Sequence, residues 1–177
     1  MPRPLNLTLD LSFMHEREKI INRMREFGIE YVHGTNSKAL HGLSVGKALW
    51  SRAMLDAIKL TPLSGEDGYT RLASHDQPVY TGVSLMSVFR YEEAVYYSKL
   101  RLEPHKDGHE PFSVLLGISA DIILSDEIDE HKLAKGSIPQ TKIMKVIVPP
   151  GKGNIAKELL VYSGDLMSKI YEWDIFG

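Results

Sequence analysis

Cysteine is absent from the 177-residue chain. That excludes disulfides, thiolate metal sites and a cysteine nucleophile together. Long apolar runs are missing as well. No segment approaches the ~18 consecutive apolar residues that mark a membrane-crossing helix, and the opening MPRPLNLTLDLSF holds no apolar stretch of signal-peptide length. The chain is therefore expected to be soluble and cytoplasmic, or delivered to a host cytosol by a route that leaves no cleaved signal. An excess of either charge is lacking too: 21 Lys and Arg stand against 23 Asp and Glu. The net charge of -2 gives no electrostatic footprint for nucleic acid, which shows as a basic face and a high pI.

What is present is ordinary globular composition, with 43% hydrophobic and 25% charged residues. The length suits a single domain over residues 1–177, with residues 1–28 as an N-terminal helical extension. Phe13, Ile20, Ile21, Met24 and Phe27, spaced through FMHEREKIINRMREFG and stopped by Gly28, predict an amphipathic helix. IEYVH (29–33) alternates as a short strand, and Ser37 to Leu60 reads as helix with a break suggested by Gly42 and Gly46. Residues 61–78 and 102–112 collect turn formers and read as loops. Strands are expected at 79–84, 113–118, 141–148, 158–162 (ELLVY) and 166–175, with a helix at about 89–101. Short strands without regular crossover helices predict an α+β fold with mostly antiparallel pairing and flanking helices.

Several apparent motifs dissolve on inspection. Gly151-Lys-Gly153-Asn-Ile-Ala156 fits G-x-G-x-x-A, but Pro149 and Pro150 part it from the strand, and ELLVY reads as strand where a helix is required. His105 and His109 stand four apart, yet in a Pro- and Gly-bounded loop unable to hold helical ligand geometry. The acidic stretch 121–131, with Asp126, Glu127, Asp129 and Glu130, lacks the glycine of a calcium loop and reads as a solvated face. No metal is expected.

Three separated segments make more sense together than apart: Tyr31-Val-His33-Gly34-Thr35, then Pro78-Val-Tyr80-Thr-Gly-Val-Ser84, then Lys157-Glu158-Leu-Leu-Val-Tyr162. In that order and spacing the chain resembles the ADP-ribosyltransferase superfamily, on its His-Tyr-Glu branch, over roughly residues 29–175. The resemblance implies split, mostly antiparallel sheets and NAD as co-substrate. It implies that His33 bonds the adenosine ribose, that the backbone of Gly34 clamps the nicotinamide carboxamide, and that Thr35 adds a hydroxyl contact. Tyr80 would stack on the nicotinamide, with a second tyrosine supplied by Tyr91, Tyr96 or Tyr97. Glu158 would be the catalytic glutamate. Thr81 and Ser84 match part of the Ser-Thr-Ser motif of the other branch, which would want an arginine at position 33.

The chemistry asks for such a set. Breaking the nicotinamide–ribose bond builds positive charge on the sugar, as in glycoside cleavage. A carboxylate at the ribose stabilises that charge where it develops, and aromatic faces hold the flat leaving group. Ala156, two positions before Glu158, stands where arginine-modifying members carry a second glutamate, so the resemblance argues against arginine as acceptor. Transfer of a single ADP-ribose to a macromolecule, protein in preference to nucleic acid, is the expected activity. Two alternatives remain open: an RNA 2′-phosphotransferase using NAD, and a catalytically silent NAD- or partner-binding module.

Overall fold

The computed structural model describes residues 7–51, 53–54, 82–100, 110–122, 124–128 and 131–177. The expected loop at 61–78 and residues 102–109 of the one expected at 102–112, together with Tyr80 and Thr81, lie outside the described residues. Along the chain come α1 (Leu7–Glu26), β1 (Ile29–Asn36), α2 (Lys38–Gly46), β2 (Ala48–Trp50) and β3 (Gly82–Ser87). A 3-10 turn (Val88–Arg90) then leads into α3 (Tyr91–Lys99), followed by β4 (Ser113–Ser119), β5 (Leu124–Ile128), β6 (His131–Lys135) and β7 (Ser137–Pro139). A second 3-10 turn (Gln140–Lys142) precedes β8 (Ile143–Val148), α4 (Gly153–Leu159), α5 (Gly164–Met167) and β9 (Ile170–Glu172).

Seven strands form one mixed sheet in the order β5-β6-β3-β1-β4-β8-β9, while β2 and β7 pair beside it. Every neighbouring pair is antiparallel except β8 with β9. The α+β, mostly antiparallel expectation therefore holds. The central strand β4 is buried along nearly its whole length, which is why SVLLGI reads as a continuous apolar run and not as an alternation.

Helices seal both faces. On one, Ile21 and Met24 of α1 and Ala94 and Val95 of α3 pack with Val32, Met86, Leu115 and Ile147. On the other, Leu40 and Leu43 of α2, Ala156, Leu160 and Leu166 pack with Leu85, Leu116, Ile138 and Val146. Each of the Ile, Leu, Val and Met side chains among these contributes about 1.5–3 kcal/mol on full burial, so the faces, more than helix propensity, fix where the helices lie. The C-terminal half of α1 is thus seated on the core through Ile21 and Met24, while Leu11, Met14 and Phe13, the last expected on the apolar stripe, are exposed.

β1 runs past the expected end at His33 because β4 pairs with it as far as Asn36 against Ser113. Ser37 then prolongs the ladder: its N–H donates to the Phe112 carbonyl at 2.9 Å and its Oγ accepts from the Phe112 N–H at 3.0 Å. Between β1 and β3 the pairing is brief, limited to Tyr31 with Ser87 and Val32 with Met86. Beyond that point β1 and β3 exchange no further pairs, while the other edge of β3 pairs with β6 over Gly82–Leu85. The sheet forks there.

The C-terminal third corrects the sequence expectation. ELLVY is not a strand: Gly153–Leu159 is helix and the chain turns after it. Gly153, Ala156 and Leu160 are buried, at the i, i+3, i+7 spacing of one helix face, a pattern that a short apolar run conceals. The expected strand 166–175 shrinks to Ile170–Glu172 behind α5, whose start is capped by Ser163 Oγ accepting from the Leu166 N–H at 3.2 Å. The helix expected from Ser37 ends at Gly46, where Lys47 turns left-handed at φ 58. Asp126 and Glu127 stand on strand β5, which is compatible with the solvated acidic face expected of them.

Candidate functional site

The fork is built around His33. Strand alternation sends Val32 and Gly34 to the face that carries α1 and α3, and Tyr31, His33 and Thr35 to the other. Val32 lies in the α1/α3 cluster and Tyr31 packs against the opposite one. Where β3 leaves β1, the His33 ring bridges the gap, with Nδ1 2.7 Å from the Ser84 carbonyl oxygen. A carbonyl only accepts, so Nδ1 carries the proton and Nε2 is left as an acceptor. Burial holds the imidazole below its ordinary value of 6.5, against a smaller upward pull from the Ser84 carbonyl. The ring is therefore neutral near pH 7. Nε2 takes no hydrogen bond from the described residues, and no buried side-chain nitrogen or oxygen there lacks a partner.

Gly34 has a structural cause of its own. A Cβ placed there would lie 1.9 Å from the Ala94 carbonyl oxygen and 3.1 Å from the Ser98 nitrogen. Helix α3 rides on β1 at this point, and only hydrogen fits between them. Thr35 is half-buried beside the fork on the His33 face, and Ser84 contributes its backbone carbonyl from the other strand. The structure thus brings together His33, Gly34, Thr35 and Ser84. The role of the Ser84 carbonyl has no signal in the sequence, because any residue type could supply it.

The helix tyrosines divide by burial. Tyr91 belongs to the α1/α3 cluster, where burial pushes its hydroxyl up, so it is a core residue. Tyr97 packs against that same cluster. Tyr96 is exposed, edge-on to Tyr97 with ring centroids 5.7 Å apart. These two follow Ala94 on the turn of α3 that touches Gly34.

Glu158 does not join them. It is exposed on α4, on the side away from the buried Gly153, Ala156 and Leu160, and lacks the strand position on which its expected role rested. The dinucleotide-like loop also changes its explanation. A helix does follow it, but the Glu172 carboxylate accepts from the Gly151 N–H at 2.5 Å and the Gly153 N–H at 3.3 Å. The donors that would cradle a phosphate are already occupied. Among the described residues no group of His, Asp and Glu is arranged to hold a metal ion, and no helix is long and apolar enough to cross a membrane.

No protein-family model matches the sequence, and no curated protein matches it.

Proposed function

We propose that this chain is an NAD-dependent ADP-ribosyltransferase that holds NAD at the fork between β1 and β3 and passes a single ADP-ribose to a protein. The observation that carries it is the His33–Ser84 bridge: a neutral imidazole, with Nδ1 tied down and Nε2 left to accept from a sugar hydroxyl. The fork also leaves backbone groups of both strands without strand partners among the described residues, the kind of edge on which a carboxamide can be held.

The stabilising carboxylate needs a new assignment, because Glu158 faces outward on α4. The sequence run Asp126, Glu127, Asp129, Glu130 leads from β5 into β6. β6 pairs with the edge of β3 that faces away from β1, and this acidic run is our candidate source of the carboxylate. Such a group, acting where charge develops, is worth roughly 10²–10³ in turnover.

Release of nicotinamide from labelled NAD, with and without cell lysate, tests the reading. Wild type should release it, and His33→Ala should weaken NAD binding. One neutral substitution among Asp126, Glu127, Asp129 and Glu130 should cut turnover by about 100-fold or more while NAD still binds. Glu158→Gln should stay within about threefold of wild type, well short of the loss expected for a catalytic carboxylate. Absence of nicotinamide release from wild type under every condition would sink the proposal, leaving a silent module. Collapse of turnover in Glu158→Gln, with NAD binding intact, would restore the expected role of that residue.

A further inference from the structure

Exposed apolar side chains from two stretches distant in sequence, Val45 of α2 and the consecutive Val161 and Tyr162, lie where α2 meets the end of α4. Val45 is 56% exposed, Val161 57% and Tyr162 63%. The junction is fixed by the Tyr162 N–H donating to Ser44 Oγ at 2.8 Å, and by His41 lying edge-on to Tyr162 with centroids 6.2 Å apart. Lys38, His41 and Val45 form one stripe of α2 at i, i+3, i+7, and Lys157 stands one turn before Val161. Clustered apolar exposure of this kind marks interaction surfaces.

The charges around the patch say which partner fits. Lys19, Lys142 and Lys169 each pair with a carboxylate, and Lys145 and Lys152 lie over aromatic rings. Lys38, Lys47 and Lys157, which share α2, its C-cap and α4 with the patch, do neither among the described residues, and the same holds for Lys99 on α3. Helix α2 has no acidic residue, and Glu158 is the single carboxylate of α4. An apolar centre with unpaired cations on its rim is complementary to an apolar stripe flanked by Asp and Glu.

We infer that this face docks an acidic amphipathic helical segment of a partner protein, independently of what the fork binds. The test uses the full chain, isotope-labelled for NMR, and three synthetic peptides of about 15 residues, long enough for one amphipathic face. One carries Leu and Phe on one face and Glu on the other, a second replaces Glu with Lys, and a third scrambles the first. The acidic peptide should shift amides of residues 38–47 and 157–162 selectively, with little effect from the other two. Val45→Asp should weaken that binding by at least about tenfold, as an interface anchor would. Lys157→Glu should weaken the acidic peptide and favour the lysine one, and both exposed substitutions should leave the melting temperature near wild type. Equal binding of the lysine peptide, shifts confined to other surfaces, or no shifts at millimolar peptide would overturn the inference. So would concentration-dependent dimerisation of the free chain through this patch, which would make the occupant a second copy.

Discussion

The Nδ1 of His33 lies 2.7 Å from the carbonyl oxygen of Ser84, fifty-one residues on, and spans the point where two strands of one sheet part company. One side chain there replaces the ladder hydrogen bonds that β1 and β3 no longer exchange. It also fixes the tautomer, so a stability contact and the nitrogen proposed to meet NAD belong to the same ring.

A pH dependence follows. The folded-state value of His33 is depressed by burial below the ordinary 6.5, so the unfolded chain binds more protons once the pH drops beneath about 6.5. The contribution is complete above the unfolded value and is lost as the pH falls through 6.5 toward the lower folded value. One such group changes stability by at most about 1.4 kcal/mol per pH unit. Urea unfolding at pH 7, 6 and 5 should show wild type weakening faster than His33→Asn, which keeps a donor for Ser84 but cannot take up a proton. Parallel slopes for the two proteins would remove His33 as the cause.

Gly34 separates packing from ligand contact. Ala at this position places its Cβ 1.9 Å from the Ala94 carbonyl oxygen, so α3 has to lift from β1. Overpacking of this type costs about 1–3 kcal/mol, and a backbone obstacle puts it at or above the upper end. Gly34→Ala should therefore lower the denaturant midpoint strongly with no NAD present. A variant as stable as wild type that had lost only NAD affinity would mean the glycine serves the ligand and not the helix.

The sequence announced β4 and β8 because they are buried as apolar runs, and the later turns of α1 because Ile21 and Met24 are buried, whereas Phe13 of the same expected stripe is exposed. His33 and Gly34 were legible as a pair, but for partly different reasons: Gly34 is forced by the backbone of α3, at residues sixty or more positions away. The C-terminal third misled because Leu159 and Leu160 are partly and fully buried by a helix, while Val161 and Tyr162 are exposed in the turn after it. Four adjacent apolar residues carry no period that separates this from a strand. The Ser84 carbonyl was invisible in principle, since backbone groups are common to all residues.

Glu172 holds the Pro149–Gly153 loop from the neighbouring strand. Its carboxylate accepts from two backbone N–H groups, and its Cδ would lie 3.1 Å from a Cβ at position 153. Removing the acceptor leaves both donors to water, a loss comparable to that of a helix cap. Glu172→Ala should cost about 1 kcal/mol in urea unfolding, and Glu172→Gln, which keeps an acceptor oxygen, should cost less. Faster amide exchange at Gly151 and Gly153 in the Ala variant would locate the effect. If the two substitutions are equally costly, charge and not the hydrogen bond holds the loop.

Lys47 ends α2 in the left-handed region, at φ 58 and ψ 15, with its N–H donating to the Leu43 carbonyl. It is the non-glycine residue with positive φ among the described residues, at the position where glycine commonly terminates a helix. A side chain strains that conformation by about 1–2 kcal/mol, and glycine gives back part of the relief through a more flexible unfolded chain. Lys47→Gly should therefore raise stability by about 0.5–1 kcal/mol, read as a higher denaturant midpoint at unchanged slope. Lys47→Ala keeps the Cβ and should gain nothing. Its exposed ammonium borders the proposed docking patch, so the same Gly variant should bind the acidic peptide more weakly while being more stable, a combination that a general loosening of α2 could not produce.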